Sequence, residues 1–425
     1  MKLSFQLGLL SALNLGVSFL YQWYVFTQLG PGMETDALFA GMTIPQLILV
    51  VITGSLMNVL VPLLAGEDEK QLHQDAWGFM LLITTLFLII FFLLYFTAGW
   101  WIPITVPGFT IEAQNLTVSL AKIQLLGIVF AAVSAVQWAI YHSRQQFVQA
   151  EFTPILASSL GFLFLIWALP VFGVAAAAWA FILRMALQVL FLAPSLGRPV
   201  LPNMKSPAMI EAWHRIKPLL LGTIYYKTEP VADRFFLSWS ASGNLSLYYL
   251  AQRLCGVINQ IFNKALTAPM VPLLGNFHKV GNAVQFRRLY YRKLLQMTLL
   301  GLAGFIAVII IGRPLLNLLI GHGSVTADNV QTLWWIMIWL GGNLVGGMAG
   351  QITSSAFYAS GDTVTPTKLS VCIFTLFLPA KALSFYFWGI AGLAISTSFY
   401  YMISLILQIY LIERKAIWTT CHTQI

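Results

Sequence analysis

Apolar stretches of about 20 residues, each long enough to cross a bilayer as a helix, alternate with short polar breaks along nearly all of this 425-residue chain. Twelve are predicted, at roughly 5–28, 38–64, 77–102, 117–141, 153–172, 174–195, 217–239, 244–274, 294–319, 328–355, 367–387 and 389–412. No break is long enough to hold a soluble domain. Gly30-Pro31-Gly32 is a turn signal after the first segment, and an acidic connection is expected from Glu67 to Asp75. The longest linker carries Pro199, Pro202 and Pro207. It predicts an N-terminal six-helix lobe over 1–196, a linker over 197–217 and a C-terminal six-helix lobe over 218–425. The first segment follows one early lysine and has no small-residue cleavage site, so it is expected to be a spanning helix and not a cleaved signal peptide.

The second half repeats landmarks of the first. Val271-Pro272-Leu273-Leu274 follows Val61-Pro62-Leu63-Leu64 by 210 positions, and Thr365-Pro366 follows Thr153-Pro154 by 212. Trp388-Gly389-Ile390-Ala391 follows Phe172-Gly173-Val174-Ala175 by 216. The shared order and similar offset predict a six-plus-six duplication. An even number of helices per half makes the repeat parallel, and transporters built from such repeats hold substrate near the midplane.

Composition sharpens the class. Only 9% of residues are charged and 59% are hydrophobic, with a mean hydropathy of +0.80, whereas soluble domains carry about 25% charged residues. The net charge of +9 does not point to nucleic acid, because its placement follows topology. With the N-terminus inside, the cytoplasmic connections hold Lys70, Arg144, Arg198, Lys205, Arg215, Lys217, Lys279, Arg287, Arg288, Arg292, Lys293 and Lys368. Lys2, Arg414 and Lys415 lie at the termini, and Arg313 is the basic residue assigned to the other side. That asymmetry places both termini in the cytoplasm. Cys255, Cys372 and Cys421 are too scattered for a disulfide framework or a metal site.

Charges inside the apolar pattern are the candidate chemistry, since a charge at membrane depth costs about 2.5–3.5 kcal/mol on insertion scales and marks a pathway or a pair. They concentrate between Leu219 and Leu274. In the seventh segment Lys227 and Arg234 are seven apart on one helical face, and Glu229 and Asp233 are four apart on a neighbouring one. Pro230 lies among them and should loosen the helix by removing a backbone donor. Internal pairing of acids with bases and a gate or ion-sensing site are both open. In the eighth segment Arg253, Gln260 and Lys264 form a polar stripe about 16 Å long. A guanidinium suits phosphate oxygens, while Lys264 could instead snorkel to an interface. Lys381 in the eleventh segment needs an acid from another helix, and Asp233 is the candidate. Asp36 or Thr35 could cap the second helix. No nucleotide-binding loop, zinc-protease motif or nucleophile triad is present, so neither ATP nor an enzymatic reaction is expected, and no cofactor or metal is implied.

Gly30-Pro31-Gly32-Met33-Glu34-Thr35-Asp36-Ala37-Leu38-Phe39-Ala40, then Ile44-Pro45-Gln46-Leu47, resembles the lipid II flippases of the MurJ/MviN family. So do Asp233-Arg234-Phe235, Ser242-Gly243, Ala251-Gln252-Arg253-Leu254, the stretch from Phe357 to Pro366, and Gly392-Leu393-Ala394-Ile395-Ser396-Thr397. The resemblance implies an all-α polytopic membrane protein with two six-helix lobes forming a V-shaped, cationic central cavity. It implies transport of a polyprenyl-diphosphate-linked sugar across the bacterial inner membrane by alternating access. Arg253 matches a cavity arginine implicated with the diphosphate, and Asp36 the acidic residue that opens the second helix. Asp233 and Thr397 match positions of a sodium site. The departures are specific. Cavity arginines of the family fall at Leu15, Tyr21 and Leu49, an asparagine falls at Gln46, and a sodium-ligand asparagine falls at Lys381. Two further C-terminal helices of typical members, which form a lipid-tail groove, have no counterpart among the twelve segments. Lys381 is therefore expected to replace the ion and pair with Asp233, making transport independent of sodium.

The expectation is a monomeric twelve-helix flippase for lipid II or an exopolysaccharide or O-antigen repeat unit. Arg253, Lys264, Lys227 and Arg234 would contact the diphosphate, with Asp36, Glu229, Asp233, Lys381 and Thr397 in gating or coupling. Membrane lipids and the lipid-linked sugar are the expected partners, and association with glycan-synthesis membrane proteins is open. A cation-coupled exporter of small drugs on the same fold is the alternative, with an acidic or apolar cavity as its mark. A glycan ligase or polymerase would need a large outer loop, and the longest one here, Trp101 to Val118, is short and apolar.

Overall fold

The computed structural model describes residues 2–65, 69–197, 200, 206, 209, 211, 225, 227–267 and 269–415. Among them the regular structure is entirely helical. The chain forms two compact units, Met1–Leu245 and Ser246–Ile425. The first holds α1 (Lys2–Leu29), α2 (Met33–Gly41), α3 (Thr43–Leu64), α4 (Glu69–Phe96), α5 (Ala98–Thr105), α6 (Ile111–Ser143), α7 (Phe147–Phe172), α8 (Val174–Leu192) and α9 (Glu229–Leu237). α10 (Asn244–Phe262) starts at the boundary and leads into a π turn, Asn263–Thr267. α11 (Met270–Lys279), α12 (Ala283–Ile320), α13 (Ala327–Trp339), α14 (Gly341–Ala359) and α15 (Val364–Lys415) complete the second unit. Most of the linker expected at 197–217 lies outside the described residues.

This is a multi-pass membrane protein. Among the described residues eight helices are long and apolar enough to cross a bilayer, or nine if α13 and α14, bent by 44°, make one span. The expected segments appear with informative breaks. The second is split at Met42 between α2 and α3. The start of the seventh, 217–224 with 226, lies outside the described residues, and most of its remainder forms α9. The eleventh and twelfth form the single 52-residue α15, which breaks at Gly389. The acidic connection expected from Glu67 to Asp75 is corrected in part. α4 begins at Glu69, and Asp75 is a buried helical residue 1% exposed.

In the first unit α6 is the central element, touching α2, α3, α4, α5, α7 and α8. Thr110 caps it by accepting the Ala113 N–H at 3.3 Å. Its buried face is rich in small residues, among them Ala121, Gly127, Ala132, Ala135 and Ala139, which let helices approach where lipid supplies no hydrophobic drive. Leu56, Leu60, Phe79, Ile83, Leu125 and Ile128 interdigitate where α3 and α4 meet it. In the second unit α14 packs between α12 and α15. Gly346 allows that contact, because a Cβ there would lie 2.9 Å from the Tyr401 backbone. Outward-facing apolar side chains such as Ile89, Leu93 and Ile310 are at least 60% exposed and face acyl chains.

The proposed duplication has a backbone signature. Gly173 adopts φ 58°, ψ −147°, and Gly389 adopts φ 56°, ψ −136°. That region is essentially restricted to glycine. The two matched sequence landmarks thus make the same turn between consecutive spans of each half.

Candidate functional site

In the first unit the Gly30–Asp36 turn supplies the best-defined buried charge. Thr35 closes the start of α2, its hydroxyl oxygen accepting the Gly32 N–H at 2.9 Å and lying 3.0 Å from the Gly30 carbonyl. The capping role open to either residue therefore falls to Thr35. Asp36, 3% exposed, reaches outside its own helix, and its Oδ2 accepts the Gly243 N–H at 2.6 Å. Gly243 has φ +91°, and a Cβ there would stand 3.1 Å from the Pro31 carbonyl carbon. Both the conformation and the close approach require glycine. The 106–110 connection joins the same region, since the Gly108 N–H donates to Ser238 Oγ at 3.0 Å. A Cβ on Gly108 would sit 2.6 Å from the Ser238 carbonyl oxygen. Three connections far apart in sequence are thus locked through one carboxylate and two glycines.

α9 carries the acid–base group of the seventh segment and packs on α3 and α5. Pro230 does not interrupt it. A turn at Thr228 ends the preceding helical residues, and Pro230 occupies the first turn of α9, where its missing N–H is harmless. The helix is broken ahead of the proline, so Lys227 and Arg234 do not share an environment. Lys227 is exposed, whereas Arg234 and Asp233 are 4% and 0% exposed. Glu229 is half-buried at the first position of α9.

In the second unit Arg253 is half-buried near the middle of α10. It has no hydrogen bond or ion pair among the described residues. Gly256 on the same stripe faces open space and Gln260 is exposed, so the stripe is accessible. Lys264 falls on the π turn and not on a continuing α-helix, which shifts it from the expected register; its side chain lies outside the described residues. Tyr248 and Thr397, both buried, are hydrogen-bonded at 3.1 Å. Lys381 is 1% exposed on the first half of α15.

The helical start of α15 is tied to its end. Asp362 accepts the Thr365 N–H at 2.9 Å and the Thr365 hydroxyl at 2.6 Å, and pairs with Lys415 at 2.8 Å. Burial alone would raise the Asp362 carboxyl, but hydrogen bonds from Lys415 and Thr365 and the Lys415 charge outweigh it and hold the pKa below its ordinary value.

The family model described as "Lipid II flippase MurJ" matches residues 25–424. The chain belongs to the MurJ family. Among similar MurJ proteins, a probable lipid II flippase of Vibrio cholerae is 23% identical, covering 92% of this chain and 80% of its own. One from Buchnera aphidicola of Acyrthosiphon pisum is 25% identical over 91% and 79%. A solved lipid II flippase MurJ in an inward closed conformation superposes with TM-score 0.83 at 16% identity, covering 96% of this chain and 87% of the other. An inward-facing multidrug resistance MATE transporter of the MOP superfamily superposes with TM-score 0.80 at 17% identity, over 97% and 96%. The fold is thus common to MurJ and MATE proteins.

Within this MurJ fold, Tyr21, which stands where an arginine was expected, donates its hydroxyl to the Ala177 carbonyl inside the first unit. Arg184 and Lys122 are not among the residues that the sequence singles out. Arg184 is half-buried mid-α8, with its Cβ against Gly161 of α7. Lys122 on α6 lies 5.1 Å from the centre of the Tyr95 ring. The signal was available, because a charge within an apolar span is a flag by itself; Arg184 and Lys122 lie in helices apolar enough to cross a bilayer.

Proposed function

We propose that this MurJ-family protein is a multi-pass flippase of the bacterial inner membrane that carries a polyprenyl-diphosphate-linked glycan across the bilayer by alternating access. The observation that carries this reading is the family match over 25–424. Arg253 supports it from the side of chemistry, as a half-buried guanidinium on α10 with no hydrogen-bond or ion-pair partner among the described residues. A diphosphate offers oxygens that match its fork. Lys264, Lys227 and Arg234 are further cationic contacts in this reading. Lipid II or an exopolysaccharide or O-antigen repeat unit would suit it equally. The likeness to a MATE transporter concerns fold, and the Arg253 guanidinium disfavours a cationic drug as cargo. Transport, not covalent chemistry, is the family's activity.

Asp36 is assigned to a gate, because its carboxylate joins two connections at one end of the first unit. Glu229, Asp233, Lys381 and Thr397 are assigned to coupling. Lys381 and Asp233 are proposed to pair, the ammonium taking the place of a sodium ion, so that transport proceeds without sodium. Both termini are assigned to the cytoplasm from the placement of lysine and arginine, and the protein is taken to act as a monomer of twelve spans. The direct test of the substrate is binding of a polyprenyl-diphosphate disaccharide to purified protein. Wild type should prefer it to the monophosphate analogue, and equal affinity for both would remove the diphosphate from the account.

A further inference from the structure

Among the spans in the described residues, α12 is the least enclosed by protein. Only 17% of its best apolar window is buried, against 56% for α6. One face, through Phe286, Tyr290, Leu294 and Met297, is buried. The opposite face presents Leu295, Leu299, Ile306 and Ile310, which are 60%, 55%, 52% and 68% exposed. At 3.6 residues per turn, Arg288 and Arg292 continue this stripe at one end and Arg313 at the other, and all three are exposed. From Arg292 to Arg313 is 21 residues, or about 32 Å of helix. The hydrocarbon core of a bilayer is about 30 Å thick. The face therefore measures out one membrane, apolar in between and basic at both rims.

The neighbouring Arg287 is engaged within the protein, 3.8 Å from Glu413 and 5.7 Å from the Tyr291 ring centre. Arg288 and Arg292 have no carboxylate partner among the described residues. They are one turn apart, where like charges repel, and an anion held between them removes the repulsion. Guanidinium is weakly hydrated and forked, which suits phosphate oxygens.

We propose that Arg288 and Arg292 form a binding site for the phosphate of an anionic phospholipid, held in the headgroup layer at their end of α12. The occupant is a resident lipid and not the transported one. Between the arginine rims this face offers only apolar side chains, which suit acyl chains and give a polar headgroup no path across.

The test uses the full chain purified in mild detergent, with R288Q/R292Q beside wild type, titrated with phosphatidylglycerol or phosphatidylcholine and read by native mass spectrometry. Wild type should retain phosphatidylglycerol in preference to phosphatidylcholine. At roughly 1 kcal/mol per arginine near a membrane surface, the double variant should bind phosphatidylglycerol about 30-fold more weakly. R288K/R292K, which keeps the charge, should hold an intermediate affinity, and it stands in if the glutamine variant does not fold. Equal retention of both lipids by wild type, or equal phosphatidylglycerol affinity in wild type and variants, overturns the proposal. So does arginine-dependent binding of a polyprenyl diphosphate without binding of phosphatidylglycerol.

Discussion

Asp36 and Gly243 show how much a single buried contact can fix. The carboxylate is nearly inaccessible and its bond to the Gly243 N–H is short at 2.6 Å, as charge-assisted bonds are. Removing it takes a charged acceptor from a buried N–H, so D36A should destabilise the protein by about 2 kcal/mol. D36N, which keeps an accepting oxygen, should lose less. G243A has no comfortable alternative, since its φ of +91° and the Pro31 backbone 3.1 Å away both exclude a Cβ. Thermal unfolding in detergent ranks the three. Both motifs were visible in sequence, but their contact spans 207 residues, and helical periodicity carries no information about such pairs. Asp362 makes a second residue-level prediction. Its carboxylate is favoured in the fold, so its stabilisation is fully present above the ordinary carboxylate value of 3.8 and fades as pH falls through the lower folded value. Unfolding temperatures measured from pH 6 down to pH 3 should show an acid loss in wild type that is reduced in D362N. The group is 23% exposed, so the effect is small.

At the scale of elements, the apolar pattern located most helices, and its failures have local causes. Lys264 was placed by extending an α-helical stripe past Phe262, where the backbone turns to π geometry. Pro230, a loosening point if it lay inside a helix, stands instead at the start of one. α10 and α11 are interrupted by polar residues and a π turn, so neither passes as a span by length and hydropathy. The paired landmarks at Gly173 and Gly389 are legible in sequence because glycine is the residue that the connecting turn demands. Gly173 and Gly389 share φ near 57° with strongly negative ψ. G173A and G389A should each cost roughly 1–3 kcal/mol and by similar amounts, measured as loss of thermal stability. A cost at one position and none at the other would contradict their equivalence.

For the whole molecule, composition alone established a membrane protein, and motif order pointed to its family. The substrate and the driving force were not legible in that way. A lysine where a sodium ligand was expected is a statement about one side chain, while coupling is a property of the transport cycle. If Lys381 replaces the ion, substitution of sodium by potassium or choline should leave the transport rate unchanged, and K381N should make it sodium-dependent. Proteoliposomes with a varied external cation check this. The central claim, that the chain moves a diphosphate-linked glycan using Arg253, is tested most directly by one measurement. Protein and R253A are reconstituted with a polyprenyl-diphosphate disaccharide labelled on its headgroup, and the rate at which a membrane-impermeant quencher gains access to the label is followed. The account predicts transfer well above that in empty vesicles and its loss, by about tenfold or more, in R253A. Transfer no faster than in empty vesicles, or undiminished in R253A, would contradict it.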